Sequence, residues 1–523
     1  MSSRPSADRG ELAIVLHSHM PYVEGFGTWP FGEEWLLEAI ASSYLPLLRV
    51  LEGAAARGGQ GVATVGVTPV LADQLAVPEL GERFLRFMRD VRRECNRQDA
   101  QGLDAAGRHA DARSLRRSAG DYEWAADDFE RRGGDLLGAL WRLHDTGAIE
   151  LWASAATHAV LPMLATEQGV RLQVATGIDA HRSRFGAWSG GFWLPECGYR
   201  PDIEHQLTSA GVRVFCVDQT DHGDALDQLE PVAAGGAVAM PIDWQTIALV
   251  WDEQGYPADP AYRDYHAQTV NGMRAWTNGG ESYDHDAAVA RVRKHAADFV
   301  DRVIARADAY QAARARPALI VCAFDTELLG HWWYEGPRWL EEVIVRADER
   351  GLPLTSLPAA LERRDPVARD LVESSWGREK DLRTWDSPRV AEFAWVARQA
   401  ELDLVAALDS VERSTLADRA APARRAAREL LALQASDWSF MTTRGLAGEY
   451  PAVRVRNHAA RFGEAITALL QGMAHFRAMQ AGTGQGRMAG AQANAAFDEH
   501  LRGLAPGLEL TPLLEPVSAL GRR

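Results

Sequence analysis

Short apolar runs alternate with longer helical stretches from residue 11 to about residue 365 of this 523-residue chain. This alternation is typical of β/α units, in which each strand of a parallel sheet is buried on both faces. The predicted strands are ELAIVLH from Glu11, GVATVGV from Gly61, IELWAS from Ile149, GFWLPE from Gly191, VRVFCVD from Val212, ALIVCAFD from Ala318 and LPLTSL from Leu352. Roughly seven such units predict an α/β barrel.

Two regions of the chain break this alternation. Residues 82–145 read as charged, amphipathic helices and predict a helical insertion between strands of the barrel. From residue 366 onward the apolar residues recur at helical spacing, which predicts a C-terminal all-helical domain over residues 366–523. A polar, glycine-rich break, QAGTGQGRMAG, precedes a predicted loose tail of that domain. The catalytic barrel is then predicted to span residues 1–81 and 146–365.

The balance of charge narrows the classes of partner. The chain has 72 acidic and 56 basic residues, a net charge of −16 with histidine neutral, which argues against a nucleic acid or an anionic membrane as its main partner. It has no stretch of about 20 apolar residues and no secretory leader pattern, so we expect a cytoplasmic protein with a neutral substrate. Trp (17 residues) outnumbers Phe (15) and Tyr (11), which is compatible with a carbohydrate groove and equally with core packing.

Unusual polar residues stand where the predicted strands end. His17 and His19 close the first strand, His158 follows the third, and Glu196 and Asp325 close two later strands. Parallel β/α folds gather their chemistry at the carboxyl ends of the strands, because the loops there meet at one end of the barrel. We therefore expect these five side chains to share one site.

The His17-Ser18-His19 motif has three interpretations. Alternation along a strand points both imidazoles to the same face of the sheet. One interpretation is a metal pair, completed by ligands from later strand ends such as His158 or Asp325. The second is a pair of sugar-binding histidines, and the third is a structural role. The motif alone does not decide between them, and the four scattered cysteines add no C-x-x-C metal pair.

Two carboxylates stand in aromatic surroundings on different strands. Glu196 lies in GFWLPECGY, and Asp325 lies in AFDTELLGHWW with a second carboxylate, Glu327. Glycoside hydrolysis needs such a pair, because one carboxyl group attacks or activates at the anomeric carbon while the other protonates the leaving oxygen. A helix-capping role is the alternative for Glu196. The sequence shows no phosphate-binding loop, Rossmann fingerprint or nucleophile elbow, which argues against nucleotide chemistry and serine hydrolysis.

Taken in order, these motifs resemble those of glycoside hydrolase family 57. HSHMPYV at His17, ATHAVLPML at His158, WLPE at Glu196, FDTELLGHWW at Asp325 and SDWSFM at Trp438 follow the family's order of motifs over most of the chain. Within the family, the stretches YPADPAYRDY and WGREKDLRTW resemble those of the 1,4-α-glucan branching enzymes.

The resemblance implies a retaining enzyme with an incomplete (β/α)7 barrel, no catalytic metal and no cofactor. It implies Glu196 as the nucleophile and Asp325 as the acid/base. The implied reaction cleaves α-1,4 links of an α-glucan, such as glycogen or an amylose-like chain, and transfers the chain to a 6-hydroxyl to make an α-1,6 branch. The implied substrate-binding residues are His17, His19, His158, Trp276, Trp332, Trp376, Trp385, Asp437 and Trp438.

One stretch departs from the pattern of the branching enzymes. Those enzymes typically carry a Tyr-containing loop that closes over the active site, whereas residues 219–246 here contain no Tyr. A closing loop is one way to keep water from a covalent intermediate. Two alternatives of the same family therefore stay open: an α-amylase-like hydrolase, which uses water, and a 4-α-glucanotransferase, which uses a 4-hydroxyl. A metal-dependent hydrolase using His17 and His19 is a more remote alternative.

Overall fold

The computed structural model describes residues 10–27, 32–220, 222–411, 419–471, 501 and 503–515. Its centre is one sheet with the strands β1 (Glu11–Ser18), β2 (Ala63–Val67), β3 (Ile149–Ser154), β4 (Gly191–Trp193), β5 (Val214–Val217), β6 (Val232–Ala234), β7 (Ala237–Pro241) and β8 (Leu319–Asp325). The strand order is β6-β7-β5-β4-β3-β2-β1-β8, and every neighbouring pair is parallel except β6 with β7.

Seven parallel strands, β1 to β5 with β7 and β8, form the predicted barrel. The sheet ends at β6 and β8, so the barrel is incomplete. Its two sides still approach each other, since the N–H of Asp243, just after β7, donates to the carbonyl of Val321 in β8 over 2.9 Å. β1 and β8 are apolar and buried along almost their whole length, as strands of a parallel sheet covered by helices are. The predicted α/β fold with an incomplete (β/α)7 barrel is confirmed.

One predicted strand is wrong, and two strands of the sheet, β6 and β7, were not predicted. The run LPLTSL makes only a single parallel bridge, between Leu354 and Leu12 at the start of β1. Pro353 has no N–H to donate, and from Val15 onward β1 already pairs with β2 on one side and β8 on the other. The seventh parallel strand is instead β7, the short run AVAMP.

Helices follow the strands, and a long helical insertion separates β2 from β3. The helices before β2 are α1 (Glu33–Ala39) and α2 (Leu45–Ala56), joined by a π-helical turn at Ile40–Tyr44. The insertion holds α3 (Pro69–Leu75), α4 (Leu80–Arg86), a π-helical segment (Phe87–Arg92), α5 (Arg93–Ala105), α6 (His109–Arg131) and α7 (Leu136–Asp145). The later barrel helices are α8 (Glu167–Phe185), α9 (Glu204–Ser209), α10 (Trp244–Trp251), α11 (His285–Arg314), α12 (Gly336–Arg350) and α13 (Leu357–Leu361).

The C-terminal part is helical, as predicted. Its helices are α14 (Ala391–Ser410), α15 (Ala420–Leu433), α16 (Asp437–Arg444), α17 (Tyr450–Gln471) and α18 (Thr511–Leu514). Their apolar faces form a core of their own, which includes Leu404, Leu430 and Phe462. The predicted loose tail after the glycine-rich break falls largely on residues 472–500 and 516–523, which lie outside the described residues. Within the described ranges, none of the helices has the length and apolar character needed to cross a membrane.

Two backbone contacts fix the start of α16 at the mouth of the barrel. Ala159 and Ala435 form an antiparallel bridge, and the N–H of Ser436 donates to the carbonyl of His158 over 3.2 Å. His158 follows β3, so these contacts join the C-terminal helices to the carboxyl end of the sheet. The first turn of α16 therefore lies beside the strand ends that carry the candidate residues.

Candidate active site

A cleft of about 400 Å³ opens between the carboxyl ends of the barrel strands and α16. Both candidate carboxylates, Glu196 and Asp325, line it. The other predicted residues in its lining are His17, His19, His158, Trp332, Trp376, Trp385 and Asp437. Its walls also include Met20, Pro21, Trp35, Trp251, Tyr265, Glu327, Phe440 and Met441. A concave, largely apolar cleft with a few converging polar groups is the usual form of a small-ligand site.

Pairing of β1 with β8 puts His17 directly beside Asp325 in the sheet register. Burial raises the pKa of the Asp325 carboxyl well above its ordinary value, and the negative charges of Glu327 and Glu196 raise it further. Asp325 therefore keeps its proton at a pH where an exposed carboxyl has lost it. A general acid requires that property.

Glu196 lies in a strained turn between β4 and the next helix. Its φ is 61° and that of Cys197 is 48°, a left-handed conformation that costs a non-glycine residue about 1–3 kcal/mol. The Oε2 atom of Glu196 accepts a hydrogen bond from Nε1 of Trp376 (2.9 Å), and Oε1 accepts one from the hydroxyl of Ser436 (2.8 Å). Burial raises the pKa of Glu196, and these two hydrogen bonds oppose the rise by stabilising the charged form.

A chain of hydrogen bonds connects Glu196 to His17. Nε2 of His17 lies 2.8 Å from Nε2 of His158, and Nδ1 of His158 lies 2.8 Å from the Ser436 hydroxyl. Because that hydroxyl gives its one proton to Glu196, Nδ1 of His158 must donate to it, and Nε2 of His158 must accept from His17. Burial lowers the pKa of both imidazoles well below its usual value, so both rings are neutral. The chain fixes the tautomer of each ring and orients Ser436 toward the carboxylate.

His19 differs from its two neighbours in the direction of its pKa shift. Its Nε2 lies 2.9 Å from Oδ1 of Asp437, and its Nδ1 lies 3.1 Å from the Thr68 hydroxyl. Burial opposes protonation of His19, yet the charge and hydrogen bond of Asp437 outweigh it and raise the pKa. The ring stacks on that of His158, with centroids 4.0 Å apart. The cleft thus places an imidazole that binds a proton more readily than usual against one that binds it less readily.

Glu327 connects the loop after β8 to the end of β1 by a hydrogen bond. Its Oε1 accepts hydrogen bonds from the backbone N–H of His19 (3.1 Å) and from the hydroxyl of Tyr44 (2.5 Å). Burial raises its pKa to about 7, although the Tyr44 hydrogen bond works against the rise. Glu327 is therefore a positioning group for the His19 backbone and a titratable neighbour of Asp325.

Three of the five predicted tryptophans reach the cleft. Trp332 is 41% exposed and offers an open ring face, whereas Trp385 is almost fully buried in the wall. Trp376 packs against Trp193 and Trp251, with ring centroids 4.9 and 6.5 Å away. Since Trp376 also donates to Glu196, it is both a wall of the cleft and a direct partner of the carboxylate.

The structure does not bring Trp276 or Trp438 into the cleft. Trp438 is buried in the C-terminal core, where its Nε1 donates to the carbonyl of Ala432 over 2.7 Å. Trp276 packs on a small cluster with Met273, under the guanidinium of Arg108 at 5.0 Å. The family resemblance implied both residues, and the fold turns their rings toward other partners.

The histidines do not form a metal centre. Among the residues that the structure describes, no three His, Cys, Asp or Glu side chains are arranged to hold a metal ion. The Nε2 atoms of His17 and His158 face each other, and Nε2 of His19 faces Asp437. The residues present therefore do not fit the metal-pair interpretation of the His-x-His motif.

Comparison with known proteins identifies the family. Residues 13–364, more than half of the chain, match the family model of glycosyl hydrolase family 57. The chain belongs to glycosyl hydrolase family 57. A second model, that of the C-terminal domain of 1,4-alpha-glucan branching enzymes, matches residues 397–481 of this family 57 enzyme. The first match contains both cleft carboxylates, and the second contains Ser436 and Asp437.

Several relatives cover nearly the whole family 57 enzyme. A 1,4-alpha-glucan branching enzyme of Thermococcus kodakarensis is 32% identical over 509 residues, which cover 88% of this chain and 74% of that protein. The crystal structure of a family 57-type branching enzyme of Pyrococcus horikoshii is 30% identical, with a TM-score of 0.86 and 98% of each chain covered. The α-amylase AmyC of Thermotoga maritima is 24% identical, with a TM-score of 0.80 over 98% of this chain and all of that one, and this likeness concerns the fold alone.

Sequence reasoning missed several cleft residues of the family 57 enzyme. Ser436 opens the SDWSFM stretch and directly precedes the predicted Asp437, but the sequence assigns no role to its hydroxyl. Trp251 ends α10 and Tyr265 closes the YRDY stretch, and both line the cleft. Of the Tyr-free residues 219–246, those that the structure describes form β6, β7, their turns and the start of α10, and none of these lines the cleft.

Proposed function

We propose that this family 57 enzyme is a 1,4-α-glucan branching enzyme, which cuts α-1,4 links and makes α-1,6 branches with retention of configuration. The observation that carries the proposal is the contrast between the two cleft carboxylates. Burial raises the pKa of both groups, but the two hydrogen bonds that Glu196 accepts limit its rise by stabilising the charged form, as a nucleophile needs. Asp325 has its pKa raised well above the ordinary value, as an acid needs. Environments that push two carboxyl pKa values apart are typical of glycosidases.

The reaction proceeds by double displacement. The Glu196 carboxylate attacks the anomeric carbon while Asp325 gives its proton to the departing glycosidic oxygen, which leaves a covalent glycosyl-enzyme. Asp325, now a carboxylate, then takes the proton of an acceptor 6-hydroxyl, whose oxygen attacks the anomeric carbon and releases Glu196. Two inversions give net retention. Ser436 and Trp376 hold the Glu196 carboxylate in place during both steps.

The remaining cleft residues bind the sugar in this proposal. His17, His19 and His158 form hydrogen bonds at the cleavage subsite, with Asp437 raising the pKa of His19. The faces of Trp332 and Trp376 stack on sugar rings, as the polarised C–H groups of a ring favour, and the buried Trp385 forms part of the wall. The neutral polymer that fits is an α-glucan, such as glycogen or an amylose-like chain in the cytoplasm.

Two relatives and one domain match support the same activity. The similar proteins of Thermococcus kodakarensis and Pyrococcus horikoshii are named branching enzymes, and the C-terminal match at residues 397–481 bears that name too. Residues 219–246 contain no Tyr that could close over the active site. Other walls of the cleft must then keep water from the covalent intermediate. The test must therefore measure the acceptor and not only cleavage.

Linkage analysis after incubation with amylose tests the proposal. We expect α-1,6 links, counted by proton NMR and by chain release with a debranching enzyme, to outnumber new reducing ends. New reducing ends without α-1,6 links would indicate a hydrolase, and redistributed chain lengths without either would indicate a 4-α-glucanotransferase. The Glu196→Gln protein, assayed at the same concentration, controls for contaminating activity.

A further inference from the structure

Two further cavities lead away from the catalytic cleft. The first, of about 300 Å³, shares Tyr265, His331 and Trp332 with the cleft lining. The second, of about 330 Å³, shares Arg263 and Tyr283 with the first and reaches the surface of insertion helix α6. The three cavities therefore follow one another from the cleft to the surface. We call the two outer ones the side groove.

The side groove joins aromatic faces to charged groups. Its aromatic lining comprises Tyr122, Trp124, Tyr265, Tyr283, Trp332 and Tyr334. The guanidinium of Arg263 lies 3.5 Å above the Tyr334 ring and 4.3 Å from that of Tyr283, and that of Arg49 lies 4.7 Å from the Trp124 ring. Flat aromatic faces beside hydrogen-bonding groups suit the apolar faces and hydroxyl edges of sugar rings.

The groove offers both donors and acceptors of hydrogen bonds. Nη2 of Arg263 donates to the hydroxyl of Ser118 over 2.9 Å, and the hydroxyl of Tyr334 donates to the carboxylate of Asp121 over 2.7 Å. All four residues line the groove. An anion accepts hydrogen bonds but cannot donate to a carboxylate. A sugar hydroxyl can do both, so this lining favours a polyhydroxylated ligand.

The length of the groove favours a chain over a single sugar. Its cavities adjoin one another and the cleft through shared lining residues and reach α6, as the path of a polymer requires. The groove also enters the cleft at His331 and Trp332, in the loop that follows Asp325. Asp325 is the group that takes the acceptor proton in the second step, so an acceptor must approach on this side.

We propose that the side groove binds the acceptor glucan chain and presents its 6-hydroxyl to the glycosyl intermediate on Glu196. This inference rests on the proposed branching function and names where its second substrate lies. It assigns a role to the insertion between β2 and β3, since α6 forms one wall of the groove. Hydrolysis needs no such chain, because water is the acceptor there.

A blocking substitution tests the groove. Val289 of α11 lines the first cavity and is partly buried, so Val289→Trp places an indole in the path of the chain. Ala290, the next residue of the same helix, is exposed and lines none of these cavities, so Ala290→Trp is the matched control. With amylose, we expect Val289→Trp to raise the ratio of new reducing ends to α-1,6 links about tenfold and Ala290→Trp to leave it unchanged.

Binding measurements distinguish an error in the role proposed for the side groove from an error in the proposed branching function. In the catalytically inactive Glu196→Gln background, we expect Val289→Trp to weaken the calorimetric affinity for a long maltooligosaccharide about tenfold, with no change for Ala290→Trp. If a folded Val289→Trp protein has an unchanged product ratio and an unchanged affinity, the side groove is not the acceptor site. A wild type that makes no α-1,6 links would overturn the branching function, and the binding result would still test the groove. If Val289→Trp does not fold, Trp124→Ala removes an aromatic face of the groove and is held to the same two outcomes.

Discussion

Glu327 accepts both of its hydrogen bonds through one oxygen, Oε1. A glutamine can keep its carbonyl oxygen at that position, so Glu327→Gln removes the charge with little change in contacts. Burial raises the pKa of Glu327 from 4.5 to about 7. The folded state therefore holds this proton more tightly than the unfolded state. The protonated Glu327 side chain therefore stabilises the folded state fully below pH 4.5. This contribution to the free energy of unfolding is lost as the pH rises through 7, and it amounts to at most about 3 kcal/mol.

We therefore expect Glu327→Gln to melt at a higher temperature than the wild type at pH 8 and at a similar temperature near pH 4.5, measured by calorimetry. The exposed Glu82 provides the control, because Glu82→Gln removes the same charge from the surface and should change neither value. A variant that melts below the wild type at pH 8 would mean that the charge of His19 compensates the buried Glu327 carboxylate.

The raised pKa of Asp325 predicts the alkaline limit of activity. A general acid works only while protonated, so cleavage of amylose should fall as the pH rises through a value well above that of an ordinary carboxyl group. An α-maltotriosyl fluoride donor releases fluoride, which needs no proton. We expect the alkaline fall in kcat/KM to vanish when it replaces amylose. The same alkaline fall with both substrates would assign that limit to another group.

Residue by residue, the sequence was informative where chemistry leaves a pattern. Glu196 and Asp325 could be predicted because each is a carboxylate at the end of an apolar strand among aromatic residues. Ser436 could not, because a serine before a helix is common and its role appears only when β3 and α16 meet at the cleft. Trp438 was predicted to bind substrate because it lies in a family motif, but its side chain is buried in the hydrophobic core.

At the scale of elements, the start of α16 contacts Glu196, the proposed nucleophile, through Ser436. Ser436→Ala removes a hydrogen bond that stabilises the Glu196 carboxylate, so the pKa of Glu196 rises further. The acid limb of the kcat/KM profile should then move to higher pH, and kcat/KM should fall about tenfold, as expected for a bond to a charged group. Ser436→Thr keeps the hydroxyl and should restore the profile.

Ser439 offers a control for this substitution on the same helix. It does not line the catalytic cleft, so Ser439→Ala should leave the acid limb in place. An acid limb unmoved by Ser436→Ala would mean that Trp376 alone sets the ionisation of Glu196. The readout is the pH profile because a purely structural role of Ser436 would lower activity without shifting that profile.

The strands themselves were predictable to different degrees. β1 and β8 are long apolar runs, and burial on both faces of a parallel sheet leaves that pattern in the sequence. β7 is five residues long and follows a glycine-rich turn, so its pattern is weak. LPLTSL is as apolar as a strand, but the places beside β1 are already taken, which only the three-dimensional pairing reveals.

On the scale of the whole molecule, residues of both the barrel and the C-terminal helices form the cleft. The barrel contributes Glu196 and Asp325. At the start of α16, Ser436 donates a hydrogen bond to Glu196, and Asp437 forms a hydrogen bond with His19. The helical character of residues after 366 could be predicted from spacing, but not which helix covers the strand ends. Because a fold alone does not determine the acceptor, we assign that choice to cavity walls such as the side groove.

Azide rescue with α-maltotriosyl fluoride tests whether Glu196 is the nucleophile and Asp325 the acid/base. In Glu196→Ala, azide should attack the anomeric carbon itself and give the β-glycosyl azide. In Asp325→Ala, Glu196 still forms the intermediate, so azide should give the α-glycosyl azide. NMR of the products distinguishes the two anomers. The same anomer from both variants, or full turnover of Glu196→Ala without azide, would contradict the assignment.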